Sequence, residues 1–188
     1  MSRLKIWYAC QRYMSHSRVA LDYRSMLQPT CELVDNPGDA DLVILHREPH
    51  VYRRLFEQLP ILHTKYVIGY CVWEASRLPP CYIDSLSFVK EVWTCSDYCH
   101  NIFGSYHPSV TTIPHAIYRD TSVERSDVIR FTRMLGIDSS NIVFLTVGRL
   151  WDKRKNILTL CREFSSLREH MPRARLIVKC SPKNLLKK

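Results

Sequence analysis

The sequence predicts an α/β fold built on a mainly parallel sheet. Short apolar runs recur along residues 1–117, amphipathic stretches separate them, and their spacing is that of βαβ units. The runs are continuously apolar rather than alternating, which implies strands covered by helices on both faces of the sheet.

The elements follow in order. "LKIWYA" (4–9) reads as a buried strand and "SRVALDYRSML" (17–27) as a helix. "CELVD" (31–35) is a short strand, and "DNPGDADL" is turn chemistry broken by Pro37 and Gly38. "DLVILH" (41–46) is a strand, and "PHVYRRLFEQL" (49–59) a helix with its proline in the first turn. "KYVIGYCVW" (65–73) is a further apolar strand, and "PPCYIDSLSFV" (79–89) has helical period. "EVWTCS" (91–96), "DYCHNIFGSY" (97–106) and "SVTTIPH" (109–115) read as strand, helix and strand. The expectation is a Rossmann-like domain over 1–117, with ligands bound beyond the C-terminal strand ends. Residues 118–140 are polar with a helical middle that Gly136 ends, and read as a linker and bridging helix. "IVFLTVG" (142–148), "NILTLCREFSSLREHM" (156–171) and "ARLIVKC" (174–180) then open a second, incomplete Rossmann-like domain over 141–188.

Composition narrows the function classes. Apolar residues make up 46 % of the chain, enough for a core and too many for disorder. No apolar run approaches the roughly 18 residues of a membrane span, and the N-terminus lacks the apolar centre of a signal peptide, so a cytoplasmic location is expected. Eight cysteines in such a chain are expected to be reduced. "CSDYCH" (95–100) has a Cys-x3-Cys-His spacing, but no second pair stands at a matching distance, and no metal site is assigned. The net charge is +9 and uneven: 16 Lys/Arg against 15 Asp/Glu in residues 1–150, and 11 against 3 in 151–188. A basic tail of this kind suits a phosphate, a nucleic acid or an anionic lipid surface, the last implying peripheral contact at the inner membrane face.

Two motifs carry a resemblance. "FLTVGRLWDKRKNILTLCREFSSLREHMPRARLIV" (144–178) has a strand ending in Gly-Arg, a short loop with a Lys-Asn, a helix, a proline and a strand like "A-x-L-x-I-V". "GYCVWEASRLPPCYIDSLSFVKEVWTCSDYCHNIF" (69–103) has a Glu after an apolar strand, a Pro, and a later "V-W-x-x-S" strand and helix; "TTIPHAIY" (111–118) follows it. Over residues 65–182 the chain resembles family 4 glycosyltransferases of the GT-B fold. The resemblance implies a retaining transfer of sugar from a nucleotide-sugar donor to a glycan or lipid-linked acceptor. The nucleotide-sugar is then a substrate, and no resident cofactor is expected. The pattern departs from the family in three places. "CQRYMSHS" (10–17) has no glycine, Ala116 stands where the family prefers Gly, and the loop before the second helix is one residue longer. The family's acidic donor-binding pair would fall beyond residue 188.

The resemblance assigns roles to named residues. Arg149 with Lys155 or Arg154 would bind the donor diphosphate, where preformed cations and a helix N-terminus stabilise the leaving group. Glu74, at the end of an apolar strand, is expected in the cleft near acceptor hydroxyls. His46 ends "DLVILH" and His115 lies in "IPHAI"; each is a candidate acceptor or donor contact. Ser15 and His16 are expected near the first helix N-terminus, replacing glycine amides. No catalytic residue is assigned. Two other readings stand beside this one. A non-catalytic fragment or acceptor-binding chain would lack the donor site. A basic nucleic-acid binder is disfavoured, because no zinc-finger or RNA-binding signature accompanies the tail. Unpaired strands in the second domain are expected to favour self-association.

Overall fold

The computed structural model describes residues 3–10, 14–116 and 122–180. The chain forms two compact units, Met1–Arg119 and Asp120–Lys188.

In the first unit a six-stranded, wholly parallel sheet has the order β2-β1-β3-β4-β5-β6. Its strands are β1 (Lys5–Cys10), β2 (Glu32–Val34), β3 (Leu42–His46), β4 (Tyr66–Tyr70), β5 (Glu91–Thr94) and β6 (Val110–Thr112). Its helices are α1 (Met14–Leu27), α2 (Tyr52–Gln58), α3 (Pro80–Leu86) and α4 (Asp97–Gly104). This is the expected Rossmann-like α/β architecture, with refinements at element ends. The helix over 17–27 starts three residues earlier. The helix over 49–59 opens as a 3₁₀ turn, Pro49–Val51, because proline at the first position cannot donate. The apolar run 65–73 leaves the sheet after Tyr70. Cys71 still donates its amide to Trp93 O at 2.8 Å, and the Trp73 indole donates to Arg77 O at 2.7 Å, which closes a loop ahead of Pro79.

Both faces of this sheet are covered, as continuous apolar strands require. Val43, Leu45 and Val67 point to one core with Tyr52, Leu62, Leu86 and Phe103. Ile6, Tyr8, Ile44, Ile68 and Tyr70 point to the other, where Ala20 of α1 packs. Tyr52 is fully buried, and its hydroxyl lies 3.1 Å from Arg47 O and 3.1 Å from Cys71 Sγ. That hydroxyl ties the end of β3 to the end of β4, and Gly69 makes room for it.

The second unit is one βαβ: β7 (Ile142–Val147), α6 (Ile157–His170) and β8 (Ala174–Lys179), the two strands pairing in parallel. α5 (Arg125–Met134) precedes it and ends at Gly136, whose φ of 65° is the left-handed conformation that suits glycine. Among the described residues, the buried apolar side chains of this unit are Ile137, Ile157, Phe164 and Ala174. Leu145 and Val147 of β7 are 65 % and 59 % exposed. No described helix is long and apolar enough to cross a membrane.

Two outcomes follow from these cores. A Cβ on Gly69 would meet the Tyr52 hydroxyl at 2.7 Å, so Gly69→Ala must displace a buried, hydrogen-bonded tyrosine. Urea denaturation is expected to show a loss of about 1–3 kcal/mol, and an unchanged midpoint would contradict the packing described. Limited proteolysis is expected to cut within 122–180 before it cuts within 14–116, because few apolar contacts hold the second unit.

Candidate functional site

Strand order reverses between β1 and β3, since β2 lies to one side of β1 and the remaining strands to the other. In an open parallel sheet the crevice at the C-terminal ends of such a pair is the favoured ligand position. Here the register sets Cys10 opposite His46 at that edge.

His46 is the centre of a polar and aromatic cluster. It is 2 % exposed, and its Nδ1 shares a 2.9 Å hydrogen bond with the Tyr8 hydroxyl. The Tyr70 ring lies 4.5 Å away between centroids, that of His16 5.3 Å and that of Tyr23 6.5 Å. The Tyr23 hydroxyl, 3.0 Å from that of Tyr70, donates to Pro114 O at 2.6 Å and fixes the segment after β6. This segment carries His115, whose ring is 6.2 Å from that of Tyr70. Thus β1, α1, β3, β4 and the residues after β6 all contribute to one edge.

The buried imidazole at its centre is uncharged near neutral pH. Burial pushes the His46 pKa down to about 3, and the nearby His16 and His115 rings push the same way. Partial desolvation, then His16, also lowers that of His115. Burial raises the Tyr8 and Tyr70 hydroxyls, so both stay protonated. A base this weak cannot abstract a proton efficiently near neutral pH. Neutral imidazole and phenol groups instead offer paired donors and acceptors beside aromatic faces, which suits a ligand rich in hydroxyl groups.

The structure brings three of the expected residues together: His46, His16 and His115. Glu74 is exposed on the loop after β4, at the same sheet edge. The side chain of Ser15 and the segment 11–13 lie outside the described residues. Sequence reasoning missed Tyr8, Tyr23 and Tyr70, because tyrosine in an apolar strand or on a helix face reads as packing. Among the described residues, no group of three or more His, Cys, Asp or Glu side chains has metal-binding geometry.

In the second unit the basic loop joins the C-terminal end of β7 to the start of α6. Gly148 donates its amide to Lys179 O at 3.0 Å, which extends the pairing to the strand end. The stem of Lys155 folds back over this glycine: a Cβ there would lie 3.6 Å from Lys155 Cγ. The loop is shaped by Asp152, whose Oδ1 accepts from Arg154 N at 3.0 Å and whose carbonyl accepts from Lys155 and Asn156. Asn156 enters α6 with φ of 50°, a conformation asparagine tolerates, and makes no side-chain cap. Arg149, Arg154 and Lys155 are exposed. Among the described residues no carboxylate lies within ion-pair distance of Arg149 or Lys155, the ion pairs being elsewhere. A hollow beside the start of α6 is lined by Trp151, Lys153, Asn156, Thr159 and Arg162; Arg149, Arg154 and Lys155 do not line it.

No family model matches the chain, and no curated protein matches it.

The neutral His46 has a pH consequence. The folded His46 pKa, about 3, lies below the reference value of 6.5. The unfolded state therefore binds the extra proton first, and the stability due to neutral His46 is complete above about pH 6.5 and lost as pH falls toward about 3. Urea titrations at pH 7 and pH 5 are expected to show this loss, on the order of 1 kcal/mol per pH unit, and His46→Gln is expected to reduce it. An equal pH slope in both proteins would show that His46 titrates normally.

Proposed function

We propose that the chain serves glycosyl transfer: a sugar moves from a nucleotide-sugar donor to a glycan or lipid-linked acceptor, with retention of configuration, on a GT-B type architecture. The observation that carries this reading is the loop from Gly148 to Asn156. It places Arg149 and Lys155, with no ion pair among the described residues, between the C-terminal end of a parallel strand and a helix start without a side-chain cap. A diphosphate leaving group gains negative charge as its bond to the sugar breaks, and preformed cations stabilise that charge without reorganisation. Arg149 offers a planar fork for two oxygens, and Lys155 or Arg154 a second charge. The neutral His46 cluster supports the acceptor half of the reading, since sugar hydroxyls need donors and acceptors rather than net charge. His46, His115 and His16 there position the acceptor, with Glu74 as a further hydroxyl partner.

A second reading is favoured by the small core of the second unit. On it the chain binds acceptor but does not turn over donor, and the exposed edges of the β7–β8 pair recruit a second copy.

Calorimetric titration with a nucleoside diphosphate tests the donor half. Weak binding is expected, and Arg149→Ala is expected to reduce affinity by about tenfold to a hundredfold, the cost of one charge-assisted contact. Replacing Lys187 and Lys188 is expected to change little. Equal losses from Arg149→Ala and from the tail variants, both vanishing with salt, would mark the loop as an ordinary basic surface.

A further inference from the structure

Two arginines bracket the C-terminal end of β1. Successive carbonyls of a strand point to opposite edges. Leu4 O accepts from Glu32 N on the β2 side and Lys5 O from Asp41 N on the β3 side, both at 2.9 Å. The same alternation turns Tyr8 O toward the β2 side. Pairing with β2 has ended by then, at Trp7↔Val34, and Arg24 stands in for a strand neighbour: its Nη1 donates to Tyr8 O at 3.3 Å. On the other edge β3 pairs as far as Cys10↔His46, and Arg47 is the next residue. The Tyr52 hydroxyl donates to Arg47 O at 3.1 Å and fixes the backbone there.

Both arginines are half-buried, and neither makes an ion pair among the described residues. Arg47 Nε is buried and has no hydrogen-bond partner. An unpaired, buried N–H on a charged group is costly, so this atom marks a place for an acceptor. Cys10 lies at the same strand end. Burial raises its thiol pKa, while the charge of Arg47, a hydrogen bond with Ser17 and the charge of Arg24 act against the rise. Both positive charges thus reach the end of β1.

We propose that Arg24 and Arg47 form an anion site at the end of β1 that takes the phosphate group of a phosphorylated sugar or lipid. Two guanidinium groups match the charge of a phosphate dianion. One fork spans a carboxylate, whereas a phosphate has oxygens enough for two forks. The site lies in the crevice where strand order reverses, beside Tyr8 and His46. It does not depend on the sugar-transfer reading; on that reading it makes the acceptor a phosphorylated one.

Cys10 reports on the site, because a bound anion covers it and disfavours its reactive thiolate. Trypsin releases Cys10 in residues 6–12. It releases Cys31, which precedes β2 at the opposite end of the strands, in residues 25–47; each is the only cysteine of its peptide. Alkylation of both thiols in the full chain by iodoacetamide is timed by mass spectrometry at constant ionic strength. The added probes are inorganic phosphate, glucose 6-phosphate and dihexanoyl phosphatidylinositol, and each rate is compared with that of the same protein without probe.

The phosphate compounds are expected to slow Cys10 and to leave Cys31 unchanged. The concentration that gives half protection is expected to rise about tenfold to a hundredfold in Arg47→Gln and in Arg24→Gln, the loss of one charge-assisted contact. Arg18→Gln, which removes an arginine of the same helix that already pairs with Asp22, is expected to leave it unchanged. Glucose 6-phosphate and the lipid compete as sources of the phosphate, and the one that protects at the lower concentration is the ligand class.

Three results would overturn the proposal: no protection of Cys10 by any probe, protection that Cys31 shares, or protection that survives equally in Arg47→Gln and Arg24→Gln. If Arg47→Gln fails to fold, Arg47→Lys replaces it. That variant keeps the charge and loses the fork, and weaker protection is again expected. The nucleoside diphosphate titration with Arg149→Ala reads the other unit, so the sugar-transfer reading and this site fail separately.

Discussion

The parallel pairing of β1 with β3 is the constraint on which the first unit depends. Five residue pairs, from Ile6↔Leu42 to Cys10↔His46, fix its register. Side chains alternate along each strand, so this register puts Tyr8, Ile44 and His46 on the α1 side and Val43 and Leu45 on the other. A slip of one residue would send His46 into the apolar core formed with Phe103 and break its bond to Tyr8. Each consequence is severe, because one buries an unpaired polar ring and the other opens both cores. Register therefore couples folding to the candidate site: the contacts that make the sheet specific also place the histidine at the edge where strand order reverses.

The two units solve different problems with different composition. The first buries aromatic and branched side chains on both sheet faces and carries almost balanced charge. The second has a small core and most of the net positive charge. Phe144 and Phe164 meet at 5.6 Å between rings, which joins β7 to α6, but Leu145 and Val147 remain open to solvent. Exposed apolar strand residues and unpaired edges are costly in isolation and usually acquire a cover.

The fold was legible in the sequence wherever burial on two sides made strands continuously apolar. Where the signal failed, a local cause is visible. Tyr66–Tyr70 ends before the apolar run does, because Val72 and Trp73 pack against the core from the loop after the strand. His46 stood out as a polar residue ending an apolar strand; the tyrosines around it did not, since their hydroxyls find partners only in three dimensions. Tyr23 shows this best: nothing local foretells that its hydroxyl meets Pro114 O, 91 residues away.

On the proposed function, the chemistry of the two sites would explain why their electrostatics differ. A phosphate ligand carries fixed charge, so exposed arginine and lysine can hold it at little desolvation cost while remaining hydrated when it is absent. A hydroxyl-rich ligand offers only dipoles, and a charged wall would favour water or salt over it. Burying His46 beside His16 and His115 answers the second need, because protonating it costs both desolvation and repulsion. The hydrogen bond with Tyr8 then orients the His46 ring without adding charge. The low pKa of His46 is thus a result of the same packing that builds the sheet edge, and on the proposed function it leaves the residue a positioning role rather than that of a base.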